Sequence, residues 1–247
     1  MILFLTSSPT GPLDNSRMVD GFDDKNRLVI NLRRRWKDGS RCLLLPADPD
    51  DPEFNDIIRD DMAKILDWRG FPHSAFDVWD SRRSEFPQDA LLSYDFILLG
   101  GGHVPTQNAF FRRAGFREKM HRFGGIVMGI SAGTMNCADD VYAQPELPGE
   151  SIDPNYVRHL KGLALTKLNI LPHYQAVKNS RLDGKRLFED ITFADSMGHE
   201  FFSLPDNSYF YQDRHGLMLC GEGYRLKNGI MEQLTVENSV LNMEALQ

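Results

Sequence analysis

Ile126-Val127-Met128-Gly129-Ile130-Ser131-Ala132-Gly133 is the stretch that decides how this chain folds. Residues 126–130 form a short apolar run, the signature of a strand covered on both faces. The run ends in Gly129-Ile130-Ser131-Ala132-Gly133, which matches G-x-S-x-G. A sharp turn from strand into helix crowds the backbone around its serine, so the flanking positions must be small, and Gly129, Ala132 and Gly133 meet that need. The serine oxygen would project from the sheet, with the Ala132 N–H at the helix start aimed where an oxyanion forms. The same five residues also fit a plain tight turn whose serine only caps a helix.

Upstream, residues 96–99 form another apolar run, followed at once by Gly100-Gly101-Gly102. Runs at 2–5, 41–45 and 75–79 read as further strands. Between them, residues 55–68 place Ile57, Ile58, Met62, Ile65 and Leu66 at helical spacing, with Gly70 as the stop. Residues 106–123 read as one helix. Strands alternating with helices imply parallel pairing through crossovers, hence a doubly wound α/β sheet with helices on both faces. Ligands of such sheets bind beyond the carboxyl ends of the strands. There the triplet would lie close to Ser131, with Gly101 and Gly102 as further oxyanion donors or substrate contacts. It does not match G-x-G-x-x-G and no P-loop lysine follows, so it does not read as a nucleotide site.

Beyond about residue 149 the alternation fades. Residues 163–171 read as a strand or extended run and 181–191 as a helix. The tail from 201 onward reads as antiparallel hairpins, with turns at Asp213-Arg214-His215-Gly216 and Lys227-Asn228-Gly229.

A serine nucleophile needs a base within hydrogen-bond reach. Of seven histidines, His173 ends the apolar run of Leu168-Asn169-Ile170-Leu171-Pro172-His173-Tyr174, the strand-end address of a site residue. His103, after the glycine triplet, is placed to line the site. His73 and His121 fall near helix ends, and His159, His199 and His215 in polar or turn-like stretches.

Taken together, Leu98-Leu99-Gly100-Gly101-Gly102, Gly129-Ile130-Ser131-Ala132-Gly133 and Leu171-Pro172-His173-Tyr174 resemble the S51 serine peptidases, the family of peptidase E and cyanophycinase. The resemblance spans residues 96–210. It implies a flavodoxin-like sheet of the class I glutamine amidotransferase type and one hydrolase domain over 1–247. It also implies an acyl-enzyme on Ser131 with His173 as base, and aspartyl dipeptides as substrates. Two carboxylates compete for the third place. Glu146 falls at the family's motif position after the nucleophile and is slightly favoured on that ground, whereas Asp206, in Leu204-Pro205-Asp206, suits the strand-end geometry. Either could orient the imidazole. The chain departs from the family pattern at His103, where peptidase E has asparagine, and at Thr134, where alanine is frequent. Cleavage next to aspartate calls for a cation; Arg181 and Arg186, on the helix expected after His173, could supply it. Gln107 and Asn108 are further substrate-contact candidates.

Two other readings stay open at this point. An α/β-hydrolase esterase shares G-x-S-x-G and the order serine, acid, histidine, but would place its histidine later, after further βα units. A non-catalytic binding module could keep the amidotransferase-like pocket. The formal charge of −7 gives no electrostatic reason to bind nucleic acid or anionic lipid. Three scattered cysteines argue for a reducing compartment. The first residues lack the basic start and apolar length of a signal peptide, so a cytoplasmic location is expected. No cofactor and no metal are expected, since neither H-E-x-x-H nor paired cysteines occur. The Asp48–Asp51 cluster lacks the glycine and terminal glutamate of a calcium loop. A small peptide is the expected partner, and a homodimer is left open.

Overall fold

The computed structural model of the protein describes residues 1–10 and 21–246. Five strands, β1 (Ile2–Thr6), β2 (Ser40–Leu45), β3 (His73–Val78), β4 (Phe96–Leu99) and β5 (Ile126–Ile130), pair in parallel in the order β3-β2-β4-β5-β1. The first four of these follow the flavodoxin order 2-1-3-4; the place of the fifth strand is taken by the amino-terminal β1. The end of the first strand is thereby brought beside the end of β5, where Ser131 lies.

Side chains alternate across this sheet. Leu3, Leu5, Leu43, Leu45, Ile97, Leu99 and Val127 face one core, while Phe4, Cys42, Leu44, Phe96, Leu98 and Met128 face the other. The second core is closed by α1 (Leu28–Arg33) and α2 (Pro52–Trp68) through Leu28, Leu32, Met62 and Leu66. The first is closed by α3 (Val104–Arg113) and α4 (Phe116–His121) through Phe110, Phe111, Phe116 and Met120. The single helix expected over 106–123 is two. Gly115 takes φ 63° and ends α3, and Lys119 Nζ donates to the carbonyls of Ala114 and Gly115 across the break. Asp51 caps α2 by accepting from the Phe54 N–H, so the Asp48–Asp51 cluster serves a helix start.

After β5 comes the one-turn α5 (Ala132–Met135), then β6 (Asp140–Tyr142) and β7 (His159–Lys161), which pair antiparallel. Strand β8 (Asn169–Leu171) is shorter than the run at 163–171 and leads into α6 (Tyr174–Val177). The helix expected at 181–191 is instead a two-residue hairpin, β9 (Arg181–Leu182) and β10 (Lys185–Arg186), followed by a π-helical turn at 187–192 and α7 (Phe193–Asp195). Asp183 and Gly184 adopt φ 51° and 82°: this is the Asp-Gly hairpin turn, and its local preference overrides the apolar spacing.

The tail contains β11 (Glu200–Ser203), β12 (Tyr209–Asp213), β13 (Gly216–Cys220), β14 (Gly223–Lys227), β15 (Ile230–Thr235) and β16 (Val240–Asn242). Strands β12, β13 and β16 extend the large sheet antiparallel from β1, to eight strands in all. A second sheet runs β15-β14-β11-β8, with β8 and β11 parallel. The β12–β13 and β14–β15 hairpins turn at the two places marked in the sequence, and Asn228 and Gly229 take the positive φ of their turn. The three cysteines are buried and unpaired. Among the described residues, no helix is long and apolar enough to cross a membrane.

Candidate active site

Ser131 sits between β5 and α5 with φ 49° and ψ −111°, a pair that L-residues rarely adopt. The turn is held by extreme closeness. A Cβ on Gly129 would lie 2.7 Å from the Thr134 backbone, and one on Gly133 would lie 2.3 Å from the Leu99 carbonyl oxygen. The Thr134 hydroxyl donates to Thr6 O at 2.7 Å, tying the first turn of α5 to β1. The Ser131 hydroxyl does not cap α5, which removes the reading of this serine as a helix cap.

Gly101 packs directly on this turn, its missing Cβ position only 3.4 Å from Ser131 Cβ. Gly102, at φ 150°, lies so close to Ala47 that a side chain would meet its Cβ at 2.6 Å. Neither the Gly101 nor the Gly102 N–H has a hydrogen-bond partner among the described residues. Ala132 opens α5, where the backbone N–H has no partner within the helix. Gln107 lies wholly buried beneath the triplet. Its Nε2 donates to Gly100 O at 2.9 Å and its Oε1 accepts from Asn136 at 3.0 Å. Asn108, also buried, bonds Asn136 and Lys161 O. Both amides are therefore engaged within the protein.

His173 follows β8 at φ 56°. Its Nδ1 donates to Asp206 Oδ1 at 2.7 Å, and in the neutral ring that tautomer carries its lone pair on Nε2. Asp206 stands in the loop by which the chain leaves β11 in the second sheet and enters β12 in the first; its side chain is only 7% exposed. Gln175 closes the arrangement, donating to Asp206 Oδ2 and accepting from the Asp206 N–H. Burial pushes the Asp206 carboxyl up, but the His173 hydrogen bond and charge, together with Ser7 and Gln175, hold it below the ordinary aspartate value.

Ser7, at the end of β1, joins the two sides. It is wholly buried. Its Oγ donates to Asp206 Oδ1 at 2.7 Å and accepts from the His173 N–H at 2.7 Å, while its carbonyl accepts from the Ser131 N–H at 3.0 Å. Sequence reasoning passed over Ser7. The available signal was its position directly after the first strand, the same strand-end rule that marked His173. Among the described residues, the Ser131 hydroxyl and His173 Nε2 are not hydrogen-bonded to each other.

Glu146 makes no side-chain hydrogen bond among the described residues. Although the residue is exposed overall, the protein around its carboxyl raises its pKa by burial. Glu150 adds to the rise, and His103 and His173 oppose it. His103 is engaged at both ring nitrogens, with Thr106 Oγ1 and Glu150 Oε1 each at 2.8 Å. Glu150 Oε2 also accepts from the Glu146 and Leu147 N–H groups, so one carboxylate fastens the 146–150 loop to the triplet side of the site. Of the two carboxylates considered for the imidazole, Asp206 is the one that touches it. Arg181 and Arg186 face each other in the β9–β10 hairpin; Arg186 is paired with Asp190, whereas Arg181 makes one long contact, 3.4 Å to Gly184 O. Two surface concavities, one beside α3 and α4 and one beside Met1 and Arg214, are lined by neither Ser131 nor His173.

Fold and site together define an α/β protein with a serine on a strand-to-helix turn and a histidine–carboxylate pair beside it. The model of peptidase family S51 matches residues 56–211, and the chain belongs to this family. Two solved structures share the fold. A peptidase from an acI-B1 Actinobacterium superimposes with a TM-score of 0.66 at 14% identity, covering 98% of this chain and 96% of that one. A Listeria monocytogenes EGD-e protein described as a peptidase E superimposes with a TM-score of 0.58 at 16% identity, covering 95% and 98%. No curated protein matches the chain.

Proposed function

We propose that this member of the S51 peptidases is a serine peptidase of one hydrolase domain that cleaves small peptides through an acyl-enzyme on Ser131. The observation that carries the reading is the Ser7 junction. One buried residue contacts the backbone of Ser131, the backbone of His173 and the carboxylate of Asp206. Ser131 Oγ attacks the scissile carbonyl carbon and its proton passes to His173 Nε2. The tetrahedral oxyanion is met by the N–H groups of Ala132 and of Gly101 or Gly102. The C–N bond breaks as His173 returns the proton to the leaving amine, and water, activated by the same ring, hydrolyses the Ser131 ester. Asp206 fixes the imidazole tautomer and stabilises its cation. Glu146 and His103 stand in the surrounding wall, where they would meet substrate rather than orient the base.

Aspartyl dipeptides are the proposed substrates, with Arg181, the less engaged of Arg181 and Arg186, as the cation that meets their carboxylate. Gln107 supports the glycine triplet from below. Purified protein should hydrolyse Asp-Leu faster than Ala-Leu, leave short acyl esters nearly untouched, and take up a fluorophosphonate at Ser131. Arg181→Ala should lower kcat/KM for Asp-Leu and spare Ala-Leu. Hydrolysis of esters alone would point to an esterase, and failure of the folded protein to label at Ser131 would point to a binding module.

A further inference from the structure

Where the two-stranded β6–β7 ladder meets the start of β11, at the end of the second sheet opposite His173 and Asp206, three ligand-bearing side chains converge. In the β6–β7 ladder Asp140 lies opposite Lys161 and Tyr142 opposite His159, so Asp140 and His159 are diagonal neighbours on one face. Their Oδ2 and Nδ1 atoms are 3.0 Å apart. His199, the residue before β11, stacks its ring on His159 with centroids 4.5 Å apart and planes 28° from parallel. One donor atom from each of Asp140, His159 and His199 lies within 4.8 Å of the others. We propose that these three side chains bind one divalent transition-metal ion of the Zn2+ type.

Two imidazoles and a carboxylate form a nitrogen–oxygen set suited to such an ion, and three protein ligands leave a fourth position for water. In a tetrahedral site the donors stand roughly 3.3 Å apart, given metal–ligand bonds of about 2.0–2.1 Å. The observed spread needs a contraction of the order of 1 Å, within reach of a rotation of partly exposed side chains. An ion pair between His159 and Asp140 accounts for two of the three groups but leaves His199 unexplained, since its ring makes no hydrogen bond among the described residues. The rings are held from behind by an aromatic wall. Tyr142 stacks on Phe201 at 4.4 Å, and His199 lies nearly parallel to Phe201 at 6.2 Å. The imidazoles are therefore orientated before any ion arrives. A bound ion would pin the β6–β7 hairpin to the start of β11.

The test is calorimetric titration of the full chain with ZnCl2 after chelator treatment and its removal, with thermal unfolding in parallel. One Zn2+ should bind per chain with micromolar affinity, and saturation should raise Tm by about 5 °C. His199→Ala, His159→Ala and Asp140→Asn should each weaken binding at least ~10-fold and abolish the rise in Tm. Far-UV circular dichroism checks that each variant is folded, and His173→Ala should bind as the wild type does. Absence of saturable binding up to millimolar Zn2+ would overturn the proposal. So would unchanged binding in folded His199→Ala, or binding lost in His173→Ala but kept in His199→Ala.

Discussion

At the end of β5, Ser131 is set by close backbone approach, Gly129 against Thr134 within the turn and Gly133 against Leu99 at the end of β4. Gly129 and Gly133 let the backbone close to distances no side chain tolerates, and the serine dihedrals follow from that closure. The histidine side is assembled differently. It draws on Ser7 from β1, His173 and Gln175 after β8, and Asp206 from the loop between β11 and β12, all joined by hydrogen bonds between residues far apart in the chain. The first arrangement is steric, built on small residues at fixed spacing, and tolerates almost no added volume. The second is polar and long-range; it tolerates volume better but depends on each partner being satisfied. Damage to the first should therefore appear in stability, and damage to the second in turnover.

The largest expected effect tests the chemistry common to both sides. Ser131→Ala should reduce kcat by at least about 10^4-fold with circular dichroism and Tm nearly unchanged; turnover close to wild type would break the assignment. Next, Asp206→Asn should cost about 10^3- to 10^4-fold in kcat, against less than about tenfold for Glu146→Gln. The reverse order, read from steady-state kinetics of the two variants, would make Glu146 the orienting acid. Gly133→Ala sharpens the steric half. The new methyl meets the Leu99 carbonyl at 2.3 Å, and denaturant unfolding should show a loss of about 3 kcal/mol. Ser7→Ala tests the polar half more gently. Stability should fall by about 1–2 kcal/mol and kcat by about tenfold, with KM unchanged. A fall in stability alone would make Ser7 a packing residue only.

The smallest effect is one of sign. The folded pKa of Asp206 is lowered, so its stabilisation is complete above about pH 4 and is lost as pH falls through the lowered value. That of Glu146 is raised, so its contribution is present below about pH 4.3 and is lost as pH rises through the raised value. Asp206→Asn should thus be more destabilising at pH 7 than at pH 3, while Glu146→Gln should gain relative to wild type over the same rise. Tm measured across this range for the three proteins checks both signs.

This contrast also explains what could be read from the sequence. The elbow, the glycine triplet and the five parallel strands were legible because each is a contiguous pattern of apolar runs and small residues. The choice between Asp206 and Glu146 was not. Both are loop carboxylates, and only the crossing from β11 to β12 brings one of them onto the imidazole. Ser7 was hidden for the same reason, since its partners lie 166 and 199 residues away. The mistaken helix at 181–191 has another origin: Asp183-Gly184 carries a hairpin signal that the apolar spacing masked.

Gln107 has a further consequence. A peptide unit is planar and trans, so its carbonyl and the following amide point in opposite directions. By drawing the Gly100 oxygen toward the interior, Gln107 turns the Gly101 amide the other way, and the flexible glycine loop presents positive rather than negative polarity to its surroundings. A single 180° rotation of that plane would reverse the sign of the loop, and a buried carboxamide guards against it.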